Sequence, residues 1–147
     1  MEINSKEAGI LLVEDNVNDV DFTLRALAKS NLADKVYVVT DGEEALEFIF
    51  TTGRYAERGG LLPKVILLDL KLPKVNGLEV LKKIKGDERT RMVPVVMVTS
   101  SREDSDLKEA YSLGVNSYIV KPIEFDNFAA ALSEVGLYWM VLNELPA

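Results

Sequence analysis

Carboxylates, a hydroxyl and a lysine follow short apolar segments at four separate places in the chain. In chain order they are Glu14 and Asp15, then Asp69, Thr99 and Lys121. Three ionised carboxylates in one cleft repel one another, and at about 5 Å with an effective dielectric of about 20 each pair costs roughly 3 kcal/mol. A set of oxygen ligands of this kind favours Mg²⁺ as the neutralising cation. We therefore expect a magnesium site wherever these side chains meet.

The same residues could also carry phosphoryl chemistry. A divalent cation, the Lys121 ammonium and the Thr99 hydroxyl would together stabilise the three oxygens of a phosphoryl group. With no other nucleophile nearby, Asp69 itself is the expected acceptor and would become an aspartyl phosphate.

Composition narrows the possible functions. The 147 residues have the length of one domain, and the net charge of −7 disfavours nucleic acid and anionic membrane surfaces as partners. The absence of cysteine and histidine excludes disulfides, zinc sites of the usual type and histidine-based triads. The polar start resembles no signal peptide and no segment is long enough to span a bilayer, so we expect a cytoplasmic protein.

Apolar segments typical of strands alternate with helical periodicity along the chain, which indicates repeated β/α units. The predicted strands cover residues 9–13, 35–40, 64–70, 93–98 and 117–120. The predicted helical faces are Val20, Leu24, Leu27 and Ala28; Ala45, Leu46, Ile49 and Phe50; Leu78, Leu81 and Ile84; Leu107, Ala110 and Tyr111; and Phe125, Phe128, Ala129, Leu132 and Val135.

Five such units predict an α/β fold: an open, doubly wound, flavodoxin-like sheet of five parallel strands in the order 2-1-3-4-5, with five helices. An eight-unit barrel would need about 200 residues or more. In this order strands 1 and 3 are neighbours, so Glu14, Asp15 and Asp69 should converge at the carboxyl edge. Lys121 and Thr99 would face them from strands 5 and 4.

Four sequence motifs at these strand ends resemble the receiver domains of two-component response regulators. They are Ile-Leu-Leu-Val-Glu14-Asp15-Asn, Ile-Leu-Leu-Asp69-Leu-Lys-Leu-Pro, Val-Met-Val-Thr99-Ser and Tyr118-Ile-Val-Lys121-Pro122. The resemblance covers about residues 8–136, and its strength lies in four motifs that occur in the right order.

The resemblance implies a phosphoacceptor and a metal site. Asp69 would accept a phosphoryl group from a histidine kinase or a phosphotransfer protein. Asp15, Asp69 and the backbone carbonyl of Lys71 would bind Mg²⁺ directly, and Glu14 would act mainly through water.

The resemblance also implies a switch. Lys121 would pair with the phosphoryl group, Thr99 would close onto it, and Tyr118 would swing inward behind Thr99. A cis peptide bond between Lys121 and Pro122 is compatible with the family pattern. Apart from accepting the phosphoryl group and slowly losing it, the protein is not expected to be an enzyme.

The chain departs from a minimal receiver domain in two segments. We expect a receiver domain over residues 1–136 and an apolar extension over 137–147, with no separate effector domain, so that output goes through protein contacts. This extension and the long loop at 52–63 resemble single-domain regulators paired with bacterial phytochrome kinases. A homodimer through the last helix and the tail is expected; the tail folding back on its own domain is the alternative.

Three other functions remain open at this point. The same topology serves flavin or nucleotide binders, aspartate-based phosphatases and scaffolds with an incidental acidic cleft. The acidic Glu14-Asp15-Asn16 segment argues against a phosphate-wrapping loop. Lys71, two residues after Asp69, replaces the second acid that a phosphatase would need.

Several of the singled-out residues also have simpler interpretations. Glu14 and Asp15 could cap a helix, and Lys121 could be a solvated surface lysine. Tyr118 could be ordinary core packing, and Thr99 is a common residue type at strand ends. The dipeptides Asp41-Gly42 and Asn76-Gly77 are predicted to serve only as turns, and Lys82, Lys83 and Lys85 to form a solvated helix face.

Overall fold

The computed structural model describes residues 9–59, 61–121 and 124–138, without the side chains of 135–137. The strands are β1 (Ile10–Val13), β2 (Val36–Val39), β3 (Val65–Leu68), β4 (Val95–Thr99) and β5 (Ser117–Val120). The α-helices are α1 (Val17–Ala28), α2 (Gly42–Phe50), α3 (Gly77–Lys85), α4 (Asp104–Ser112) and α5 (Phe125–Leu137). Single-turn 3-10 helices occur at Ala33–Lys35 and Gly53–Tyr55.

The five strands form one parallel sheet in the order β2-β1-β3-β4-β5, which confirms the predicted fold class and strand order. The register pairs Val13, the last residue of β1, with Val39 of β2 and Leu68 of β3. Because these strands end level with one another, the residues that follow them emerge at the same edge of the sheet.

Apolar side chains fill the space on both faces of the sheet. The three central strands are buried along their whole length, as expected for a parallel sheet covered by helices on both sides. Phe48, Leu81 and Ile84 lie in the core on one face, and Leu27 and Phe128 lie in the core on the other. Within the described residues, no helix has the length and hydropathy needed to cross a membrane.

The side chains of Asp41 and Asn76 cap helices. Each accepts a hydrogen bond from a backbone N–H three residues later, so each is the N-cap of the helix it precedes. The glycine after each cap is also required, since a Cβ at Gly42 would overlap the Val75 carbonyl and one at Gly77 the Asp69 carbonyl. The prediction that these dipeptides serve only as turns is therefore wrong.

The buried faces of α1 and α2 differ in part from the predicted stripes. In α1 the buried positions include Thr23 and Ala26, whereas Ala28 is exposed. In α2 the predicted stripe omits Phe48, which is completely buried and stacks on Tyr37 of β2. Besides the sheet, α1 packs on α5 through Phe22 and Phe128, and α2 packs on Tyr55 through Phe48, so each helix buries residues outside its predicted stripe.

The predicted face of α4 is mostly exposed. Ala110 is its only buried residue, while 37% of Leu107 and 52% of Tyr111 are accessible. A stripe of apolar residues predicts a helix face, but it does not show how much of that face a neighbouring element covers.

Lys85 is not part of a solvated face. Its Nζ donates hydrogen bonds to the carbonyl oxygens of Arg91 (3.1 Å) and Val93 (2.8 Å) and to Oδ1 of Asn116 (3.3 Å). Burial lowers the pKa of this lysine. The lysine therefore ties the end of α3 to the segments that precede β4 and β5.

The long loop at 52–63 is anchored by a buried arginine. Arg58 is only 3% exposed, and its Nε (3.0 Å) and Nη2 (2.7 Å) both donate to the carbonyl oxygen of Phe48. Its Nη1 donates to the Leu61 carbonyl oxygen at 2.7 Å, and the guanidinium lies 4.0 Å from the centre of the Phe48 ring. These contacts hold the loop against α2.

Candidate functional site

Three carboxylates meet at the carboxyl edge of the sheet. Glu14 and Asp15 follow β1 directly and Asp69 follows β3, so the adjacency of these two strands brings them together. One ligand oxygen from each of the three lies within 4.8 Å of the others. Glu14 and Asp69 are buried, whereas Asp15 is exposed.

The ammonium of Lys121, one residue after β5, reaches into this group. Its Nζ lies 2.8 Å from Oε1 of Glu14, 2.9 Å from Oδ2 of Asp19 and 3.9 Å from Oδ2 of Asp69. The first two contacts are hydrogen bonds and the third is longer than one. Lys121 is thus a counter-charge for buried acids, and its interpretation as a solvated surface lysine is excluded.

The pKa values of both partners of this ion pair are raised, for different reasons. Burial raises the pKa of Glu14 from 4.5 to about 7, with help from the charge of Asp69, and this outweighs the lowering effect of Lys121. Burial acts to lower the pKa of Lys121, but its hydrogen bonds to Glu14 and Asp19 leave that pKa raised. The lysine therefore stays charged while Glu14 is close to titrating.

The start of α1 holds this side of the site in place. Asn16 caps the helix by accepting a hydrogen bond from the Asp19 N–H (3.1 Å), and its own N–H donates to Oε2 of Glu14 at 3.2 Å. Glu14 is therefore bonded on both carboxylate oxygens, one by Lys121 and one by Asn16. Helix capping explains Asn16, but not the placement of Glu14 toward the cleft.

The segment after β4 contains the two predicted switch residues. Thr99 is fully buried, and its Oγ1 accepts a hydrogen bond from the Ser101 N–H at 3.3 Å. The Tyr118 hydroxyl donates to the Ser101 carbonyl oxygen at 3.2 Å, and the Ser101 hydroxyl donates to Oδ2 of Asp106 at 2.6 Å. Thr99 and Tyr118 therefore meet through Ser101.

The predicted site residues fall into three groups. Glu14, Asp15, Asp69 and Lys121 are brought together. In the described contacts the Thr99 hydroxyl bonds Ser101 rather than the carboxylates, so its closure onto a phosphoryl group remains a prediction. The role of the exposed Lys71 through its carbonyl is likewise untested, and Pro122 lies outside the described residues.

Asp19 is the site residue that sequence reasoning missed. An acid in the first turn of a helix already has an explanation in the helix dipole, so its type and position gave no signal.

An open cleft of about 650 Å³ extends from the carboxylates toward the interface of α1 and α5. Acidic groups and Lys121 surround one end, and apolar side chains form the other. The lining residues are Glu14, Asp15, Asn16, Asp19, Phe22, Thr23, Asp69, Ser100, Lys121 and Phe128.

The donor set fits a hard divalent cation. Three carboxylate oxygens within 4.8 Å of one another offer oxygen ligands only, and Asp15 is open to solvent as an entry route. Mg²⁺ retains several waters and takes few protein ligands, which suits an exposed acidic corner of this kind. The same cation would relieve the repulsion among the three acids.

Comparison with known proteins gives a consistent result. The family described as "Response regulator receiver domain" matches residues 10–133. The probable methanogenesis regulatory protein FilR2 of Methanothrix harundinacea is 43% identical over 93% of this chain and 86% of its own length. Response regulator Rcp1 of Synechocystis sp. is 33% identical over 94% of this chain and 92% of its own length.

Solved structures agree with these relatives. The bacteriophytochrome response regulator AtBRR superposes with a TM-score of 0.74 at 55% identity, covering 92% of this chain and 96% of its own. The phosphorylated cyanobacterial phytochrome response regulator RcpA gives a TM-score of 0.82 at 37% identity, with coverage of 94% and 97%. The Mn(2+)-bound form of Rcp1 gives 0.81 at 31% identity, and both chains are covered completely.

Proposed function

This chain belongs to the response regulator receiver family, and on that premise we propose that it is a phosphorylation switch with Asp69 as the phosphoacceptor. The observation that carries the proposal is the position of Asp69. Its buried carboxylate follows a core strand, lies beside Glu14 and Asp15, and has the Lys121 ammonium 3.9 Å away. A buried carboxylate in a sheet core is costly without a partner, so a structural role alone explains it poorly.

The transfer step is a displacement at phosphorus. A carboxylate oxygen of Asp69 attacks the phosphorus of the donor, and an O–P bond forms as the N–P bond of a phosphohistidine breaks. The electron pair of the broken bond leaves with the donor nitrogen, which is neutralised by a proton from solvent. In the transition state the negative charge of the transferring group is spread over its three equatorial oxygens, and Lys121 is close enough to stabilise it.

Asp15, Asp69 and the backbone carbonyl of Lys71 would hold the divalent cation directly, and Glu14 would act mainly through water. When bound, the cation supplies charge neutralisation for the phosphoryl oxygens and relieves repulsion among the acids. The manganese in the Rcp1 structure supports this assignment by analogy at 31% identity. The exposed Asp15 gives the cation access from solvent.

The switch would involve Thr99, Tyr118 and Pro122. A phosphoryl group on Asp69 would attract the Thr99 hydroxyl, which would then leave the Ser101 N–H. Because Tyr118 also bonds Ser101, movement of this segment would release the tyrosine hydroxyl from the Ser101 carbonyl. This gives a physical path from Asp69 to the surface around α4.

The phosphoryl donor would be a histidine kinase or a phosphotransfer protein, which are the donors that receiver domains use. RcpA is a cyanobacterial phytochrome response regulator and AtBRR is a bacteriophytochrome response regulator. Similarity to these two proteins favours a phytochrome as the kinase. A cytoplasmic location follows from this choice of partner. Nucleic acid is not expected as a partner because of the net charge of −7.

Output would go through protein contacts, including a homodimer built from the last helix and the tail at 137–147. Most of that tail lies outside the described residues, so this remains a prediction from its apolar sequence. Size-exclusion chromatography with light scattering tests it before and after phosphorylation. A monomer in both states would contradict the dimer.

The alternatives fit the site less well. A flavin or nucleotide phosphate would meet Glu14, Asp15 and Asp19 in the cleft. A phosphatase needs an acid to protonate its leaving group, and the exposed Lys71 occupies the expected position. Sustained hydrolysis of p-nitrophenyl phosphate would favour the phosphatase and overturn the switch.

The decisive experiment is incubation with acetyl phosphate and Mg²⁺ followed by intact mass spectrometry. Wild type should gain roughly 80 Da, the mass of HPO₃ added as an acyl phosphate, and Asp69→Asn should gain nothing. Asp34→Asn is the matched control, because Asp34 is an exposed aspartate just before β2, at the opposite edge of the sheet. No added mass on wild type, or equal addition to Asp69→Asn, would contradict the proposal.

A further inference from the structure

Asp19 is hydrogen-bonded to Lys121, which is 102 positions later in the chain and belongs to the phosphoryl-acceptor site. Its Oδ2 accepts a hydrogen bond from Lys121 Nζ at 2.9 Å, whereas Asp69 Oδ2 is 3.9 Å from the same nitrogen. Two of the three ammonium hydrogens are thus taken by Glu14 and Asp19. The lysine is held close to Asp69 but is not bonded to it.

We infer that Asp19 is a positioning residue, whose carboxylate holds the Lys121 ammonium at the rim of the cleft until a phosphoryl group on Asp69 draws it inward. The inference rests on the proposed function and concerns the same site. The side chain of Asp19 is 40% exposed and that of Glu14 only 5%, so Asp19 is the outer of the two partners. Lys121 is 17% exposed and lies between them and Asp69.

Stabilisation of the α1 N-terminus alone does not explain this geometry. Asn16 already caps the helix, and it does so with the backbone N–H of Asp19, which leaves the Asp19 carboxylate free of that task. A carboxylate that only complemented the helix dipole could point into solvent. Instead it bonds the one cation that contacts the acidic cluster in the described part of the chain.

The phosphoryl group changes the balance between the two positions of the lysine. The acyl phosphate carries about two negative charges where the Asp69 carboxylate carried one, and it then outweighs the single charge of the Asp19 carboxylate. Asp19 is partly solvated, so its ion pair is weak enough to be replaced. Lys121 must therefore leave Asp19 before it can stabilise the incoming group fully, and this exchange would slow phosphorylation.

Asp19→Asn keeps the size of the side chain and removes its charge. We expect phosphorylation by acetyl phosphate to become about fivefold faster than in wild type, as expected from loss of a partly exposed ion pair. In this reaction acetate leaves as the O–P bond to Asp69 forms. Asp19→Glu, which restores a carboxylate, should return the rate toward that of wild type.

Asp21→Asn is the matched control for this variant. Asp21 lies on the same helix and pairs with Arg25 at 3.0 Å, with both side chains about two-thirds exposed, whereas the ion pairs of Lys121 in the described residues are with Glu14, Asp19 and Asp69. The charge change is identical, so a general effect of net charge on the anionic donor would appear in both variants. We expect Asp21→Asn to react at the wild-type rate.

Combination with Lys121→Ala separates the positioning effect from local repulsion of the donor. If Asp19 acts through Lys121, Asp19→Asn should change the rate in the Lys121→Ala background much less than it does in wild type. An equal acceleration in both backgrounds, or no acceleration in either, would overturn the inference.

A second measurement does not depend on phosphorylation. The NMR signals of the Lys121 side chain, identified by their loss in Lys121→Ala, should shift in Asp19→Asn and remain in place in Asp21→Asn. Unshifted signals in Asp19→Asn would overturn the inference. If wild type gains no mass with acetyl phosphate, the proposed function fails, and this measurement still decides whether Asp19 holds the lysine.

Discussion

The ammonium of Lys121 lies 2.8 Å from a carboxylate oxygen of Glu14, 107 positions earlier in the chain. The contact joins the ends of β1 and β5, which are separated in the sheet by β3 and β4. Even with this partner, burial and the nearby charge of Asp69 raise the pKa of Glu14 to about 7. The site therefore keeps one acid close to titration at neutral pH, which makes its stability sensitive to pH and to cations.

The first prediction concerns the metal-free protein between pH 4.5 and 7. In this range folded Glu14 retains a proton that the unfolded chain, with a pKa of 4.5, releases. Since the folded state then binds more protons, the free energy of unfolding should fall as the pH rises, by roughly 2–3 kcal/mol in total. Urea denaturation in the presence of EDTA measures the free energy of unfolding at each pH. Glu14→Gln should remove its dependence on pH in this range.

A control variant separates Glu14 from the other carboxylates with shifted pKa values. Arg54 lowers the pKa of Glu47 to about 2, so any effect of Glu47 on stability is present above pH 4.5 and is lost as the pH falls toward 2. Glu47→Gln should therefore leave the curve between pH 4.5 and 7 unchanged. A wild-type curve that rises with pH over this range would contradict the shift at Glu14.

The second prediction concerns cation binding. Asp15→Asn removes one of three clustered carboxylates, so the affinity for Mg²⁺ or Mn²⁺ should fall about tenfold or more. The metal-free variant should also be somewhat more stable than wild type, because repulsion with Glu14 and Asp69 is relieved. Manganese titration followed by electron paramagnetic resonance measures the affinity, with Asp34→Asn as the control. Equal affinities in the two variants would exclude Asp15 as a ligand.

The strand ends show how much of the site the sequence could predict. Once the alternation of segments indicates five β/α units, the strand order places the residues after β1 and β3 side by side. Glu14, Asp15 and Asp69 then converge whatever the details of their side chains. Their meeting depends on topology alone, and topology has a strong signature in the sequence.

Features that depend on side-chain direction were not predictable in this way. The acid at Asp19 and the arginine at Arg58 are residue types expected in solvent, and only the structure shows that they bond Lys121 and the Phe48 carbonyl. Leu107 and Tyr111 show the opposite case, because they were predicted on a buried helix face and are exposed. Periodicity identifies an apolar stripe but not the element that covers it. Such details are decided by packing between elements distant in sequence.

The third prediction concerns the close approach of α3 to the strand that carries Asp69. An added Cβ at Gly77 would overlap the Asp69 carbonyl oxygen and the Leu70 Cα, and the Gly77 N–H donates to the Leu70 carbonyl at 2.7 Å. Gly77→Ala should therefore reduce the free energy of unfolding by about 2 kcal/mol or more. It should also weaken binding of Mn²⁺, because the backbone of Asp69 has to move.

Gly86→Ala is the control for this substitution. Gly86 ends the same helix with an ordinary φ of −86°, and its added Cβ would come 3.0 Å from the Lys82 carbonyl oxygen, a contact that a small shift relieves. We expect a change within about 1 kcal/mol and unaltered Mn²⁺ binding. Equal losses in the two variants would show that the approach at Gly77 is not tight.

The fourth prediction concerns the loop at 52–63 and compares two arginines within it. Arg58→Met removes the buried hydrogen bonds to the Phe48 and Leu61 carbonyl oxygens and should cost roughly 3 kcal/mol of unfolding free energy. Arg54→Met breaks an ion pair with Glu47 in which 48% of the arginine side chain is exposed, so it should cost much less than Arg58→Met.

Urea denaturation compares the two variants, and limited proteolysis reports on the loop itself. Because Arg58 fastens the loop to α2, Arg58→Met should also expose the loop to cleavage, whereas Arg54→Met should not. Both arginines contact α2 and neither lines the acidic cleft, so neither substitution should change the affinity for Mn²⁺. Suppose instead that the two variants lose similar stability and that the loop is cleaved in neither. Packing of Tyr55 on Phe48, rather than the buried guanidinium of Arg58, would then hold the loop in place.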